Sequence, residues 1–355
     1  MGDMFCLRSV LKMNLFLLLT LNALAEGSYQ KRSAHSCPDL CSCSFAPSGA
    51  EVECSRSSLT VLPVGLPRNT TRLSIQSSNL SAITASHLSA VPLLTNLQLY
   101  HTSLDNLPSD LLKDVPHLNT LDLTGNRLVH LPPNVFHRTS LQSLVLKNNL
   151  IEKVDSEWFP HNSSLTWLDL SGNRLTSIPA DLLQRLPHMR NLDLSDNNLQ
   201  DLLNLDSLNH LHHLETLNLA GNKLTQLKAT TFTHNLQLSQ LFLQQNQIQE
   251  LPENLLQGLQ HLELLLLNQN QLQHLPAGLL DDRKSSFRVI LSSNPWVCDE
   301  KLEYLWKWLT VHHHNVIFLE EVTCSAPEIL KNRQVVSLTD NELSPKKKLD
   351  IITNE

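Results

Sequence analysis

The stretch Leu118-Asn119-Thr120-Leu121-Asp122-Leu123-Thr124-Gly125-Asn126-Arg127-Leu128 is the pattern from which the fold of this chain is predicted. It has the form L-x-x-L-x-L-x-x-N-x-L, and close copies run over residues 165–175 and 214–224. The asparagine position, called the asparagine slot below, recurs at Ser78, Thr102, Asn126, Asn149, Asn173, Asn197, Asn222, Asn246, Asn270 and Asn294. The intervals are 24, 24, 23, 24, 24, 25, 24, 24 and 24 residues, which indicates a repeat protein.

Each copy of the pattern predicts one short β-strand, because Leu121 and Leu123 alternate with polar residues and so face the same side. Strands of successive repeats would pair in parallel, and the carboxamide in the slot would satisfy backbone groups where the chain turns away. This period is that of leucine-rich repeats. The predicted fold class is an α/β solenoid, a leucine-rich-repeat horseshoe of about ten 24-residue repeats with a parallel concave sheet and disulfide-capped ends. Ser78 and Thr102 can make only some of the hydrogen bonds of an asparagine, so we expect the first two turns to be less regular.

Residues 1–25 have the features of a secretory signal peptide: basic Arg8 and Lys12, a short apolar run, and a small-residue cleavage site at Ala23-Leu24-Ala25. No later stretch is long and apolar enough for a membrane helix, so we expect a soluble, secreted, extracellular protein with no membrane span. The predicted division is a signal peptide (1–25), a flexible segment (26–36), a cysteine-rich N-terminal cap (37–66), leucine-rich repeats (67–294), a C-terminal cap (295–343) and a disordered basic-acidic tail (344–355).

The composition narrows the class of partner. The formal charge is −7 at neutral pH, and −8 without residues 1–25, which hold two basic and one acidic side chain. This acidity argues against nucleic acid and favours, weakly, a basic protein partner. Without Cys6, six cysteines remain, an even number that is typical of secreted proteins. Their C-x3-C-x-C spacing over 37–43 could bind metal, but a disulfide cap is the favoured interpretation in a secreted chain.

Three further patterns concern the surface and the ends. Asn69, Asn79 and Asn162 begin N-x-S/T motifs and are candidate sites of N-linked glycosylation. The segment 201–211 lacks the proline of other repeats and is one residue longer, which predicts a local bulge or a truer helix. After the last slot, apolar residues at helical spacing predict an amphipathic helix over the final repeat, with Trp296, Trp306 and Trp308 closing the core.

We find no set of residues in the sequence that predicts catalysis, so no enzyme activity, no cofactor and no metal site is expected. Among the seventeen histidines, the one consecutive run is His312-His313-His314. Consecutive side chains point in different directions, and no acidic or cysteine ligand is spaced to complete a site.

The outward positions of the sheet are where function is expected. The column between the two strand leucines includes Asp122, Asp169 and Asp193, and further along it becomes apolar. Four large apolar residues lie together at that end and predict a contact patch: Phe242, Leu264, Leu266 and Ile290. Trp167, beside the carboxylates, is of a residue type that often anchors a protein partner. The alternative is a solvated acidic face, with Leu266 and Ile290 covered by the C-terminal cap. The predicted partner-binding residues are Asp122, Trp167, Asp169, Asp193, Asn218, Phe242, Leu264 and Leu266.

The C-terminal cap carries a family resemblance. Asn294-Pro295-Trp296-Val297-Cys298-Asp299 is followed by Glu300, where most such caps have a second cysteine, and later by the lone Cys324. This reduced cap resembles that of the leucine-rich α2-glycoprotein family of secreted proteins, with β-type snake phospholipase A2 inhibitors as close relatives. The resemblance covers essentially the whole mature chain. By resemblance to leucine-rich-repeat caps, the implied disulfides are Cys37–Cys43, Cys41–Cys54 and Cys298–Cys324.

The resemblance also implies a function. Family members are secreted glycoproteins that bind cytochrome c and modulate transforming-growth-factor-β receptor signalling, or block basic phospholipases A2. It therefore predicts a monomer or weak dimer that binds a basic protein or a cell-surface receptor on its concave face. The alternatives are a phospholipase A2 inhibitor of plasma and an extracellular-matrix or adhesion module.

Overall fold

The computed structural model describes residues 37–55, 58–200 and 205–343, without the side chains of residues 205–207. The predicted signal peptide, the segment 26–36 and the tail 344–355 lie outside the described residues. In the described ranges, no helix is long and apolar enough to cross a membrane.

The described strands form one 13-stranded sheet and one 2-stranded sheet. Ten strands, β3 to β12, come from the ten predicted repeats and pair in parallel, each with the next along the chain. β1 and β2 form an antiparallel hairpin at one end, β14 adds to β12 at the other, and β13 pairs with β15. The strands are β1 (Cys41–Ala46), β2 (Gly49–Cys54), β3 (Thr70–Gln76), β4 (Asn96–Tyr100), β5 (Thr120–Asp122), β6 (Ser143–Val145), β7 (Trp167–Asp169), β8 (Asn191–Asp193), β9 (Thr216–Asn218), β10 (Gln240–Phe242), β11 (Leu264–Leu266), β12 (Arg288–Ile290), β13 (Trp296–Val297), β14 (Val316–Ile317) and β15 (Cys324–Ala326).

Helices are short and lie outside the sheet. They are α1 (Ala85–Leu88), α2 (Ala180–Gln184), α3 (Glu303–Val311) and α4 (Asp340–Leu343), with 3-10 helices at Ser156–Trp158, Leu205–His210, Glu300–Leu302, His313–Asn315, Leu319–Glu321, Glu328–Leu330 and Val335–Ser337. The long segment 201–211 therefore contains a six-residue 3-10 helix rather than an α-helix. Its first four residues lie outside the described ranges.

The leucines of the repeat pattern build one continuous core. Leu121 and Leu123 are fully buried, and so are their equivalents in the other repeats. The core extends without a break from the N-terminal hairpin to α4. This confirms the predicted solenoid, in which each repeat buries its leucines only by stacking on its neighbours.

The asparagines form a ladder of hydrogen bonds between successive repeats. Asn126 donates through Nδ2 to the carbonyls of Leu99 (2.8 Å) and Leu123 (2.9 Å), while the backbone N–H of Leu104 donates to its Oδ1 (3.2 Å). All eight asparagines repeat this scheme, ending with Asn294. Each one satisfies buried backbone groups of its own repeat and of the repeat before it.

The first two repeats differ, because they lack this link. The hydroxyl of Thr102 donates to Asn126 Oδ1, and Ser78 receives only a long bond of 3.5 Å from the Leu80 N–H. Strand pairing extends further there: β3 has seven residues and β4 five, against three in each of β5 to β12. The two repeats without an asparagine in the slot are thus the ones with the longer strands.

The residue before the slot is left-handed in successive repeats. Gly125 has φ 73°, and the equivalent His101 has φ 47°. A Cβ built on Gly125 would come within 2.1 Å of His101 Nδ1, because the two positions stack. Glycine at this position therefore relieves both backbone strain and crowding between repeats.

Both ends of the core are closed as predicted. The disulfides are Cys37–Cys43, Cys41–Cys54 and Cys298–Cys324. Helix α3 covers the last repeat, and its indoles donate to backbone carbonyls: Trp308 to Leu280 (3.2 Å) and Trp306 to Leu338 (3.0 Å). Trp296 is fully buried and donates to Leu291 (3.2 Å).

Asn173→Ala should destabilise the protein by about 1–3 kcal/mol, because the N–H of Ile151 loses its partner away from water. The carbonyls of Leu146 and Leu170 each lose one of two asparagine donors and keep the other, from Asn149 and Asn197. Urea unfolding followed by circular dichroism measures this. The adjacent Arg174→Ala, at an exposed side chain, serves as the control and should change stability by less than about 0.5 kcal/mol. Equal losses in the two variants would contradict the proposed role of the ladder.

Candidate protein-binding site

The sheet brings all eight predicted partner-binding residues onto one face. Asp122, Asp169, Asp193, Asn218, Phe242 and Leu266 occupy the same strand position, and the register pairs them through successive strands, with Val145 between the first two. Trp167 and Leu264 lie two residues before members of this column, on the same face. The predicted site is therefore spatially contiguous across seven strands.

The exposure of these residues differs along the column. Trp167, Asp193, Asn218, Phe242 and Leu264 are half-buried and accessible. Asp169 is only 7% exposed and Leu266 only 5%. A partner can therefore touch the first group directly, whereas Asp169 and Leu266 lie beneath the surface.

The apolar end of the face is narrower than the sequence pattern suggests. Ile290, predicted to extend it, is 5% exposed and pairs in register with Ile317 of β14. The C-terminal cap thus adds a strand beside this end of the column. The accessible apolar surface consists of Phe242 and Leu264.

The aspartates also have a structural role in the turns. In each of them, Oδ1 accepts the N–H of the residue two positions on: Thr124 to Asp122 (2.9 Å), Ser171 to Asp169 (2.8 Å) and Ser195 to Asp193 (2.9 Å). Asn218 makes the same turn with Ala220, so the geometry does not require a charge. Asn218 also donates through Nδ2 to Asp193 Oδ2 (2.9 Å), joining neighbouring strands.

Burial raises the pKa of two of these carboxyl groups, Asp169 and Asp122. Loss of solvent, followed by the adjacent Asp193 charge, raises the pKa of Asp169 to about 6. Burial likewise raises the pKa of Asp122, against hydrogen bonds from Thr124 that lower it. At neutral pH Asp169 is still mainly ionised, but its negative charge is lost as the pH falls towards and below its pKa of about 6.

Several residues of this face were not identified from the sequence. They form the column after the second strand leucine, including Tyr100 and Lys147. Lys147 acts electrostatically on both Asp122 and Asp169, so it partly offsets the acidic column. Burial raises the pKa of Tyr100, which stays neutral. The repeat pattern predicts that these residues form a column. Their electrostatic effect on aspartates of neighbouring repeats could not be predicted, because it depends on distances that are set by the folded chain.

Two acceptors in that same column lie next to the apolar surface. Gln244 Oε1 and Asn268 Oδ1 are buried and have no hydrogen-bond donor within the described part of the chain. They follow Phe242 and Leu266 by two residues, on the same face. A partner that covers Phe242 could supply N–H or O–H donors to them.

The described ranges contain no group of three or more histidine, cysteine or acidic side chains placed to hold a metal ion. The histidines of 312–314 have separate surroundings, since His312 stacks on Trp308 and His313 meets His314 edge to face. A groove of about 1320 Å³ beside the last repeats is lined by thirteen residues, five of them glutamines, with Gln247, Gln249 and Gln271 among them. It lies on the turns after the asparagine slot, away from the sheet face.

Similarity to known proteins agrees with this architecture. A leucine rich repeat family model matches residues 92–140, 139–199 and 212–272. Trophoblast glycoprotein of Macaca fascicularis is 28% identical over 344 residues, which span 90% of this chain and 70% of that protein. The crystal structure of human trophoblast glycoprotein superposes with a TM-score of 0.53 at 26% identity, over 88% of this chain and all of that one.

Shorter matches point to the same group. A phospholipase A2 inhibitor of Gloydius brevicaudus siniticus is 34% identical over 55 residues, 16% of this chain and 17% of the inhibitor. Tsukushi-A of Xenopus laevis is 33% identical over 106 residues, 29% of this chain and 30% of that protein. The chain is a leucine-rich-repeat protein related to trophoblast glycoprotein and to phospholipase A2 inhibitor-like leucine-rich-repeat proteins. Its relatives are extracellular binding proteins rather than enzymes, which supports a protein-binding role.

Asp169→Asn should stabilise the protein at pH 7.4 by about 1–3 kcal/mol. The folded-state pKa of Asp169 lies above its unfolded value, so the ionised carboxylate destabilises the fold increasingly as pH rises from about 4 to about 6. Asparagine keeps the turn, as Asn218 does, and cannot ionise. Thermal unfolding at pH 7.4 and pH 4 measures the difference, which should vanish at pH 4. Asp181→Asn, at an exposed carboxylate, controls for charge removal; a destabilised Asp169→Asn at pH 7.4 would refute the assignment.

Proposed function

We propose that this chain is a secreted glycoprotein that binds a basic protein through the sheet face of its repeats. The observation that carries the proposal is the accessible group formed by Trp167, Asp193, Asn218 and Phe242 across four consecutive strands. An aromatic anchor at each end and a carboxylate between them match the composition of protein-binding surfaces.

The electrostatics of the face favour a cationic partner. Asp193 is accessible, and the Asp169 charge lies directly beside it in the next strand. The chain as a whole has a formal charge of −7, so the long-range field has the same sign. Acidic columns of this kind increase the rate of association with basic proteins and make it dependent on salt.

The apolar end supplies the part of the binding energy that does not depend on salt. Phe242 and Leu264 lie on adjoining strands and are only half-buried. Beside them, the acceptors of Gln244 and Asn268 are already buried without a donor in the described part of the chain, so a donor from the partner would satisfy them. A basic protein offers such donors in its lysine and arginine side chains.

Glycosylation is part of the proposal. Asn79 and Asn162 are exposed and Asn69 is half-buried, all of them outside the columns of the sheet face. Sugar at these positions would leave the proposed binding surface open. Cytochrome c serves as the test partner, and a basic phospholipase A2 or a transforming-growth-factor-β receptor ectodomain are the further candidates from the resemblance.

The double variant Trp167→Ala/Asp193→Asn should weaken binding of cytochrome c by at least roughly tenfold and reduce its salt dependence. The full secreted protein is immobilised and titrated by surface plasmon resonance at low and physiological salt. Asp181→Asn, on the exposed side of α2, removes one carboxylate outside the sheet face and should leave binding unchanged.

Phe242→Ala should lower the affinity without changing the salt dependence, because it removes only apolar contact. Near-equal losses in Asp181→Asn and Trp167→Ala/Asp193→Asn would count against the sheet face as the binding site. A stable homodimer that buries Phe242, measured by light scattering, would support the adhesion-module alternative instead.

A further inference from the structure

A row of histidines lies along the edge of the solenoid that leads into the strands. Three of them lie nine residues before an asparagine slot: His188, His213 and His261. His212 lies ten residues before a slot, and two more lie twelve residues before one, His210 and His234. All six are exposed. We call this set the histidine edge; it spans four consecutive repeats and lies outside the columns of the sheet face.

Ring contacts confirm that these side chains adjoin across repeats. The imidazoles of His188 and His213 stack with centroids 6.4 Å apart, and those of His212 and His234 meet edge to face at 6.2 Å. His212 and His213 are neighbours in the chain, so the contact with His188 on one side and the contact with His234 on the other lie next to each other. Histidines on three successive turns of the solenoid thus form a continuous surface strip.

Few other charges on the described side chains face this strip. Arg185 forms an ion pair with Glu157 at 2.6 Å, and Arg190 forms one with Glu215. The charges within each pair cancel. Beyond them, the acidic side chains include exposed Asp181 on α2, which packs beside the 3-10 helix of His210, and exposed Glu263 next to His261. Exposed Asp282, twelve residues before Asn294, lies in the repeat after His261. The charge of the strip is therefore decided by its histidines.

Histidine is the side chain that changes charge between pH 5 and 8. Protonation of all six imidazoles gives the strip six positive charges, which exceed the three carboxylates nearby. The repeat spacing places these charges in a line along an exposed edge, while the opposite sign prevails on the sheet face. A linear polyanion matches such a line of cations.

We propose that the histidine edge is a binding site for sulfated polysaccharide that operates at mildly acidic pH. Sulfate groups remain ionised throughout this range, so the pH dependence comes from the protein. Arg185 and Arg190 extend the cationic strip when sulfate competes for them with Glu157 and Glu215. The site is distinct from the sheet face and does not depend on the protein-binding function.

Heparin is the probe, and the full secreted protein is the sample. Binding is measured by surface plasmon resonance at pH 7.4 and pH 5.5 at constant ionic strength. We expect heparin affinity to rise by at least roughly tenfold at pH 5.5, as several cations are added along one line. Affinity that is equal at the two pH values overturns the proposal.

A matched pair of triple variants locates the site. His188→Gln/His212→Gln/His213→Gln should lose most of the gain at pH 5.5. The control His130→Gln/His313→Gln/His314→Gln removes the same number of exposed histidines elsewhere and should keep it. Equal losses in both variants would show a general effect of net charge and overturn the assignment to this edge.

Desulfated heparin tests the chemistry of the ligand. It should bind at least fivefold more weakly at pH 5.5, since roughly each lost sulfate removes one ionic contact. Equal binding of the desulfated polymer overturns the assignment to sulfate. Circular dichroism of both triple variants at both pH values verifies that all proteins compared are folded.

Discussion

Where the chain leaves the sheet in each repeat, two leucine carbonyls and one backbone N–H end inside the solenoid, beyond the reach of water. A carboxamide has both a donor group and an acceptor, and in the slot it meets all three. Asn126 to Asn294 make these bonds eight times, each joining two repeats. The stacking of leucines provides the driving force, but this ladder sets the position of every turn and hence the spacing of the strands. Where it is missing, at Ser78 and Thr102, the strands are longer.

Regular spacing makes a surface out of residues that are far apart in the chain. Asp169, Asp193, Asn218 and Phe242 are separated by 24 or 25 residues, yet they lie on neighbouring strands. The aspartates serve both the fold and the surface: one carboxylate oxygen accepts a turn N–H, while the charge acts on the face. This double role explains why Asn218 can replace an aspartate in the turn while the electrostatic field of the column weakens towards Phe242.

Acid makes both surfaces of the solenoid more positive, and it therefore has opposite effects on the attraction of a basic protein to one and of a polyanion to the other. Protonation removes negative charge from the column of Asp169, whose pKa lies near 6 because of burial. Protonation adds positive charge to the histidine edge, where His188, His212 and His213 adjoin. The two surfaces are built from different positions of the same repeat, so each can vary without disturbing the leucines. The disulfide-bonded ends close the core and keep the terminal leucines from solvent.

The ten strands, the inward leucines, the buried asparagines and the membership of the outward columns could all be predicted from the amino-acid pattern, because they follow from a period of about 24 residues. The disulfide pairs followed from resemblance to known caps. Three features could be seen only in the folded chain: Asp169 and Leu266 are buried, Lys147 acts electrostatically on aspartates of two repeats, and β14 lies beside Ile290. Periodicity assigns a side chain to a face, but its exposure and its pKa depend on how closely neighbouring repeats and the caps approach it. Those distances are set by packing between residues a whole repeat or more apart.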